Sequence, residues 1–235
     1  MKIGLIVAME SELRNVKAAL GGVTEGRYGD GANATEVVLR QCGIGKVNAA
    51  VGTMQLITDY HPDCIISTGL AGGIGDQAEV WDVIVSTQTA YHDVFCGMDC
   101  EQGQVLGLPT RFDSYLPMVD FAMTTGAQMA QQEGMQGCQF IKGLICTGDQ
   151  FITKAEPVRA IQQAFPDVMA CDMESAAIAH VCHLMKVPFV SIRVISDTPL
   201  RTHDHALQWE ESLAMMSDRS FRFIDLLLRS LPKEL

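Results

Sequence analysis

The chain has 235 residues, a length that suits one large α/β domain or two small ones, and 48% of them are hydrophobic, ample for a sizeable core. A formal net charge of −11 makes nucleic-acid backbones and anionic membranes poor partners, because both want a basic face.

Residues 2–8 read as a short, continuous, buried strand. Glu10, Glu12 and Arg14 follow at once, so this opening is not a signal peptide. No run approaches the ~18 apolar residues of a membrane helix, and the chain reads as cytoplasmic. Residues 11–20 suit a helix, with Leu13, Val16 and Leu20 recurring and Gly21-Gly22 as its stop. A strand is expected at 35–39. A helix follows at 46–60, with Val47, Val51, Met54 and Ile57 on one face. Further strands are expected at 64–68, 80–90, 138–147, 168–171 and 188–196. Helical patterns occupy 116–133, 156–164, 174–185 and 207–231; the last carries Leu213, Met216, Phe223, Leu227 and Leu231. The stretch 93–113 reads as a loop.

Strands alternate with helices throughout, and no linker, repeat or low-complexity tract interrupts them. The pattern implies one α/β domain over 1–235, a three-layer sandwich whose mixed central β-sheet is flanked by helices. The eight cysteines, at 42, 64, 96, 100, 138, 146, 171 and 182, read as buried thiols rather than a disulfide set. Neither Cys96-x3-Cys100 nor His180, Cys182 and His183 has a second pair at zinc spacing, so no metal site is expected.

In such sheets ligands sit beyond the carboxyl ends of strands. There the sequence places Met9 to Glu12, Gly69 to Gly75, Thr147 to Ile152, Asp172 to Glu174, and Arg193 to Asp197. Each has a plainer reading: Glu12 and Glu174 as acids favoured by a helix dipole, Asp197 as a turn residue, the glycines as tight packing. Gly43-Ile44-Gly45-Lys46 is a partial dinucleotide fingerprint without its third glycine, and reads as a strand-to-helix turn. Joint placement favours function. An acid, a second carboxylate and an arginine suit N-glycosidic cleavage, in which the leaving base is protonated and water is activated from the other side.

These residues resemble a known family. MKIGLIVAMESEL, GIGKVNAA, TGLAGG, Tyr91-His92-Asp93, TGDQFI, DMESAAIAHVCH and PFVSIRVISD are similar to the 5′-methylthioadenosine/S-adenosylhomocysteine nucleosidases, over nearly the whole chain. The resemblance implies a nucleoside phosphorylase/hydrolase-like fold and a cytoplasmic homodimer that uses no metal or cofactor on a small adenine nucleoside. It implies Glu12 as the base that activates water and Asp197 as the acid that protonates adenine N7, steadied by Ser196. Met173 and Glu174 would bind ribose, and Arg193 would place water and the acids. Phe151 would stack on adenine, Ile152 would bond its edge through the backbone, and Gly72 and Met9 would lie against the ligand. Two departures stand out: Leu70 replaces the serine usual in the glycine turn, and 94–100 differs from the apolar loop that meets the 5′ group. The alternatives are a purine nucleoside phosphorylase and a nucleoside-binding protein without catalysis.

Overall fold

A computed structural model describes residues 1–29, 34–97, 99–131, 138–201 and 220–232, with the backbone alone for 220 and 221. Among these residues nine strands form one mixed sheet: β1 (Lys2–Val7), β2 (Glu25–Tyr28), β3 (Thr35–Gln41), β4 (Cys64–Gly73), β5 (Val83–Tyr91), β6 (Arg111–Asp113), β7 (Phe140–Thr147), β8 (Val168–Asp172) and β9 (Phe189–Asp197). Among the described residues the helices are α1 (Glu10–Ala19), α2 (Lys46–Tyr60), α3 (Leu116–Met129), α4 (Ala155–Ala164), α5 (Ser175–Met185) and α6 (Ser220–Ser230). None of them is long and apolar enough to cross a membrane.

The sheet runs β2-β3-β1-β4-β8-β7-β5-β6, and β9 pairs with both β4 and β5. Strands β4, β9, β5, β7 and β8 therefore close into a ring. The ring is possible because β4 exchanges one neighbour. On one edge β9 runs parallel to it from Ile65 to Gly72, with a register shift at Ala71/Gly72. On the other edge β1 pairs with Cys64 to Ser67, and β8 replaces it, antiparallel, at Gly72 and Gly73. Alternation within β1 shows why its apolar run is continuous. Ile3, Leu5 and Val7 pack toward α1, α3 and α6, while Ile6 faces the opposite cluster beneath α2 and α5.

The expected elements are present, with four differences. The glycines of TGLAGG are not a turn but the end of β4. Glycine suits so tight a strand, since a Cβ on Gly73 would lie 2.8 Å from Ile195 Cγ2. On α2, the stripe Val47, Val51 and Met54 is exposed, and the buried face is Ala49, Thr53, Leu56 and Ile57. Close approach decides this: a Cβ on Gly52 would stand 2.9 Å from Cys42 Cα, so small residues face inward. Strand β2, and β6 within the supposed loop, each gain a ladder from an adjacent strand rather than from their own apolar pattern. Finally, Cys96 is exposed and Cys42 and Cys100 are half-buried, while the other five cysteines are buried. The C-terminal helix is seen over 220–230; Leu213 and Met216 lie outside the described residues.

Candidate active site

One pocket opens at the carboxyl ends of β1, β8 and β9. It is lined by Met9, Glu12, Gly72, Phe151, Ile152, Met173, Glu174, Ser196 and Asp197, together with Ala8, Ile44, Leu70, Ala71, Gln150, Cys171 and Asp172. Of the residues expected at a site, only Arg193 is absent from the lining. It is buried and bonded to Asp172, which does line it.

Glu12 sits in the first turn of α1, yet its carboxylate is not spent on solvent. Oε2 accepts from the backbone N–H groups of Ala8 and Met9, both at 2.9 Å, and Oε1 accepts from Leu70 N–H at 3.1 Å. Gly69 makes room for it, since a Cβ there would lie 3.0 Å from Glu12 Cδ. Burial raises the pKa of Glu12 against the pull of Arg193 and these three amides. Position 70 thus contributes through its backbone, and the leucine side chain packs against the core.

Glu174 caps α5, and Oε1 accepts from Gly45 N–H at 2.9 Å. Gly45 has φ of 92°, a left-handed value that glycine tolerates and that leaves its N–H facing Glu174. The GIGK segment is a strand-to-helix turn, and its Ile44 is also part of the pocket wall. Burial first, then the neighbouring charge of Asp172, pushes Glu174 up to about 7, against Arg193 and the Gly45 amide.

Arg193 lies on β9 opposite Gly69 of β4. Nε donates to Asp172 Oδ2 at 2.8 Å and Nη2 to Ser67 Oγ at 3.0 Å. Burial would lower its pKa, but Asp172, Glu174 and Glu12 outweigh that and hold it raised. At the far end of β9, Asp197 is buried and its Oδ1 accepts from Ser196 Oγ at 2.7 Å. Gly72 faces this carboxylate across the strand pair, 3.8 Å from where a Cβ would stand.

Three motifs meet at the pocket's edge. Asp149 accepts from Lys46 N–H at 2.8 Å, Lys46 Nζ pairs with Asp93 at 2.8 Å, and Asp93 accepts from Asp149 N–H at 2.9 Å. This ties Tyr91-His92-Asp93 and TGDQFI to the start of α2. His180 and His183 instead pack their rings against Phe112, and His180 Nδ1 meets Tyr91 OH at 3.1 Å.

The model of the phosphorylase superfamily matches residues 2–231. The chain is 38% identical over 231 residues to the 5′-methylthioadenosine/S-adenosylhomocysteine nucleosidase of Actinobacillus succinogenes, covering 95% of this chain and 96% of that one. It is 40% identical over 205 residues to the Haemophilus influenzae protein of the same name, covering 84% and 86%. The chain belongs to this nucleosidase family of the phosphorylase superfamily. Solved nucleosidases have the same fold. The Neisseria meningitidis enzyme in complex with methylthio-immucillin-A superposes with a TM-score of 0.84 at 34% identity, over 98% of this chain and 99% of that one. The Colwellia psychrerythraea enzyme in complex with adenine gives 0.85 at 33%, over 100% and 97%. The resemblance read from the motifs is borne out. Asp172 is a buried polar residue of the lining to which the motifs assign no role. Its one signal was its place at the end of a strand, two residues before Glu174.

Proposed function

We infer that this nucleosidase hydrolyses the N-glycosidic bond of 5′-methylthioadenosine and S-adenosylhomocysteine, releasing adenine and the 5-substituted ribose. The observation that carries the reading is the clustering of Glu12, Glu174, Asp197 and buried Arg193 at one pocket. In this reading Asp197, bonded by Ser196, gives its proton to adenine N7. The C1′–N9 bond then breaks toward a neutral base instead of an anion. Glu12 takes a proton from the attacking water, whose oxygen bonds to C1′. Burial raises its pKa, which makes the ionised carboxylate a stronger base. Glu174 accepts from the ribose hydroxyls beside Met173, and Met9 borders the same end. Phe151 stacks on adenine, Ile152 bonds its edge through the backbone, and Gly72 leaves room for it.

Water is favoured over phosphate as nucleophile. The amides of Ala8, Met9 and Leu70 could grip an anion, but Glu12 already occupies them. Arg193, the buried cation nearby, is paired with Asp172. A dianion brought to this place would meet three carboxylates around one guanidinium. The substrate is a small adenine nucleoside, and the working form is a homodimer. Val47, Val51 and Met54 on α2, with Leu184 and Met185 at the end of α5, leave an exposed apolar face, and exposed Ile44 continues it to the pocket. Its thiols, five of them buried, suit the reducing cytoplasm. The test is adenine release from 5′-methylthioadenosine in phosphate-free buffer. Release at the full rate supports hydrolysis, strict dependence on phosphate makes the chain a phosphorylase, and tight binding without turnover makes it a binding protein.

A further inference from the structure

One pocket carboxylate has no part in that scheme. Asp172 ends β8, is buried, and uses both oxygens fully. Oδ1 accepts from Thr147 Oγ1 at 2.6 Å and from the N–H groups of Glu174 at 3.3 Å and Ser175 at 3.2 Å. Oδ2 accepts from Arg193 Nε at 2.8 Å and from the Ser175 hydroxyl. A single side chain thus bonds the guanidinium on one oxygen and, on the other, the amide of the residue thought to hold ribose.

Its own position is fixed from behind. Because Ser175 donates to the carboxylate, it accepts from Ser191 Oγ, 2.6 Å away. Ser191 N–H donates to Ser86 Oγ at 2.8 Å, and Ser86 Oγ meets Ser114 Oγ at 2.7 Å. All four serines are buried, so this line crosses from α5 through β9 to β5 without water. On the other side, Arg193 is a planar fork held at two corners, by Asp172 and by Ser67. Its third corner, Nη1, is buried and has no hydrogen-bond partner among the described residues. A fork pinned at two corners cannot turn the third away.

We propose that Asp172 is a positioning residue of the reaction: it fixes the plane of Arg193 and the start of α5 together, and so sets the groups that handle water in register with the glutamate that holds ribose. This rests on the hydrolase reading above. Asparagine has nearly the same shape but cannot serve here. Its amide would point N–H at Arg193 and Ser175, or at Thr147 and the α5 amides, all of them donors to Asp172.

The test compares wild type with Asp172→Asn, Asp172→Glu and Ser175→Ala. It measures kcat and KM for 5′-methylthioadenosine, the pH dependence of kcat/KM, and the affinity for free adenine. Asp172→Asn is expected to keep adenine affinity and to lose kcat roughly 10–100-fold, by analogy with the orienting partners of metal ligands, with a smaller change in KM. The groups facing Glu174 are Asp172 from β8, Arg193 from β9, Glu12 from α1, and Cys42 after β3. The variant deletes one repelling charge and frees Arg193, so the acid limb of kcat/KM moves to lower pH. Asp172→Glu restores part of kcat. Ser175→Ala, which spares the Arg193 pair, costs roughly two- to fivefold and keeps the proposal testable if Asp172→Asn does not fold. Wild-type kcat with an unmoved acid limb in the variants would overturn the assignment. So would a parallel loss of adenine binding, which would make Asp172 a prop for the whole pocket. A wild-type protein that released no adenine would instead sink the hydrolase reading.

Discussion

The half of the pocket assigned to water and ribose and the half assigned to the base are built from different materials. Glu12, Asp172, Glu174 and Arg193 are each buried and bonded to backbone or to another side chain, and they come from α1, β8, the cap of α5 and β9. The other half is Asp197 and Gly72 at strand ends, plus the loop residues Phe151 and Ile152. There Phe151 is 56% exposed, although Ile152 and Asp197 are buried. The contrast teaches where precision is needed. Water must be placed to fractions of an ångström, and the groups assigned to it are locked by hydrogen bonds among buried partners. The stacked face of an aromatic base tolerates a looser wall.

Substitutions should therefore act very differently in the two halves. The largest effect is expected at Asp197, which serves the base but sits on the rigid strand β9. Asp197→Asn should keep the fold and lower kcat about 10²–10⁴-fold, the usual cost of a lost general acid; near-normal turnover would remove it from that role. Glu12→Gln should bind substrate and fail to hydrolyse it, with a loss in the same range, read by equilibrium binding beside single-turnover kinetics. Gly69→Ala is a test of space. Its methyl group would push Glu12 from its three amides, so kcat should fall roughly tenfold or more and the protein should melt lower, because buried amides lose their acceptor.

Glu174 gives a pH-dependent expectation. Its pKa is raised from 4.5 to about 7, so between these values the folded state binds more protons than the unfolded chain. This group's contribution to stability is therefore present at low pH and is lost as pH rises through that window. Glu174→Gln should melt higher than wild type at pH 8, and the gap should close toward pH 5, while substrate KM rises. A gap that widened toward acid would contradict the sign. The smallest effect is expected at Phe151→Ala. Losing one partly exposed stacking ring costs about 0.5–1.5 kcal/mol, or roughly two- to tenfold in KM, with kcat almost unchanged.

The same division explains what could be read from sequence. Carboxylates following apolar strands were legible because strand ends converge in α/β sheets, and Glu12, Glu174, Arg193 and Asp197 announce themselves by type. The ring was not legible. It depends on β8 replacing β1 along β4 at Gly72 while β9 stays paired on the other edge, and in sequence TGLAGG looks like any glycine turn. The outward stripe of α2 misled for a related reason: periodicity finds an apolar face but does not say whether that face meets the chain's own core. Asp172 escaped notice because its meaning lies in its partners, Arg193, Thr147 and Ser175, which are brought to it by three other elements.

The most direct test of the central claim is the identity of the sugar formed when 5′-methylthioadenosine is turned over in excess inorganic phosphate. With Glu12 holding the amides that an anion would need, free 5-methylthioribose is the expected product, at a rate unchanged by phosphate. Recovery of 5-methylthioribose 1-phosphate would contradict hydrolysis.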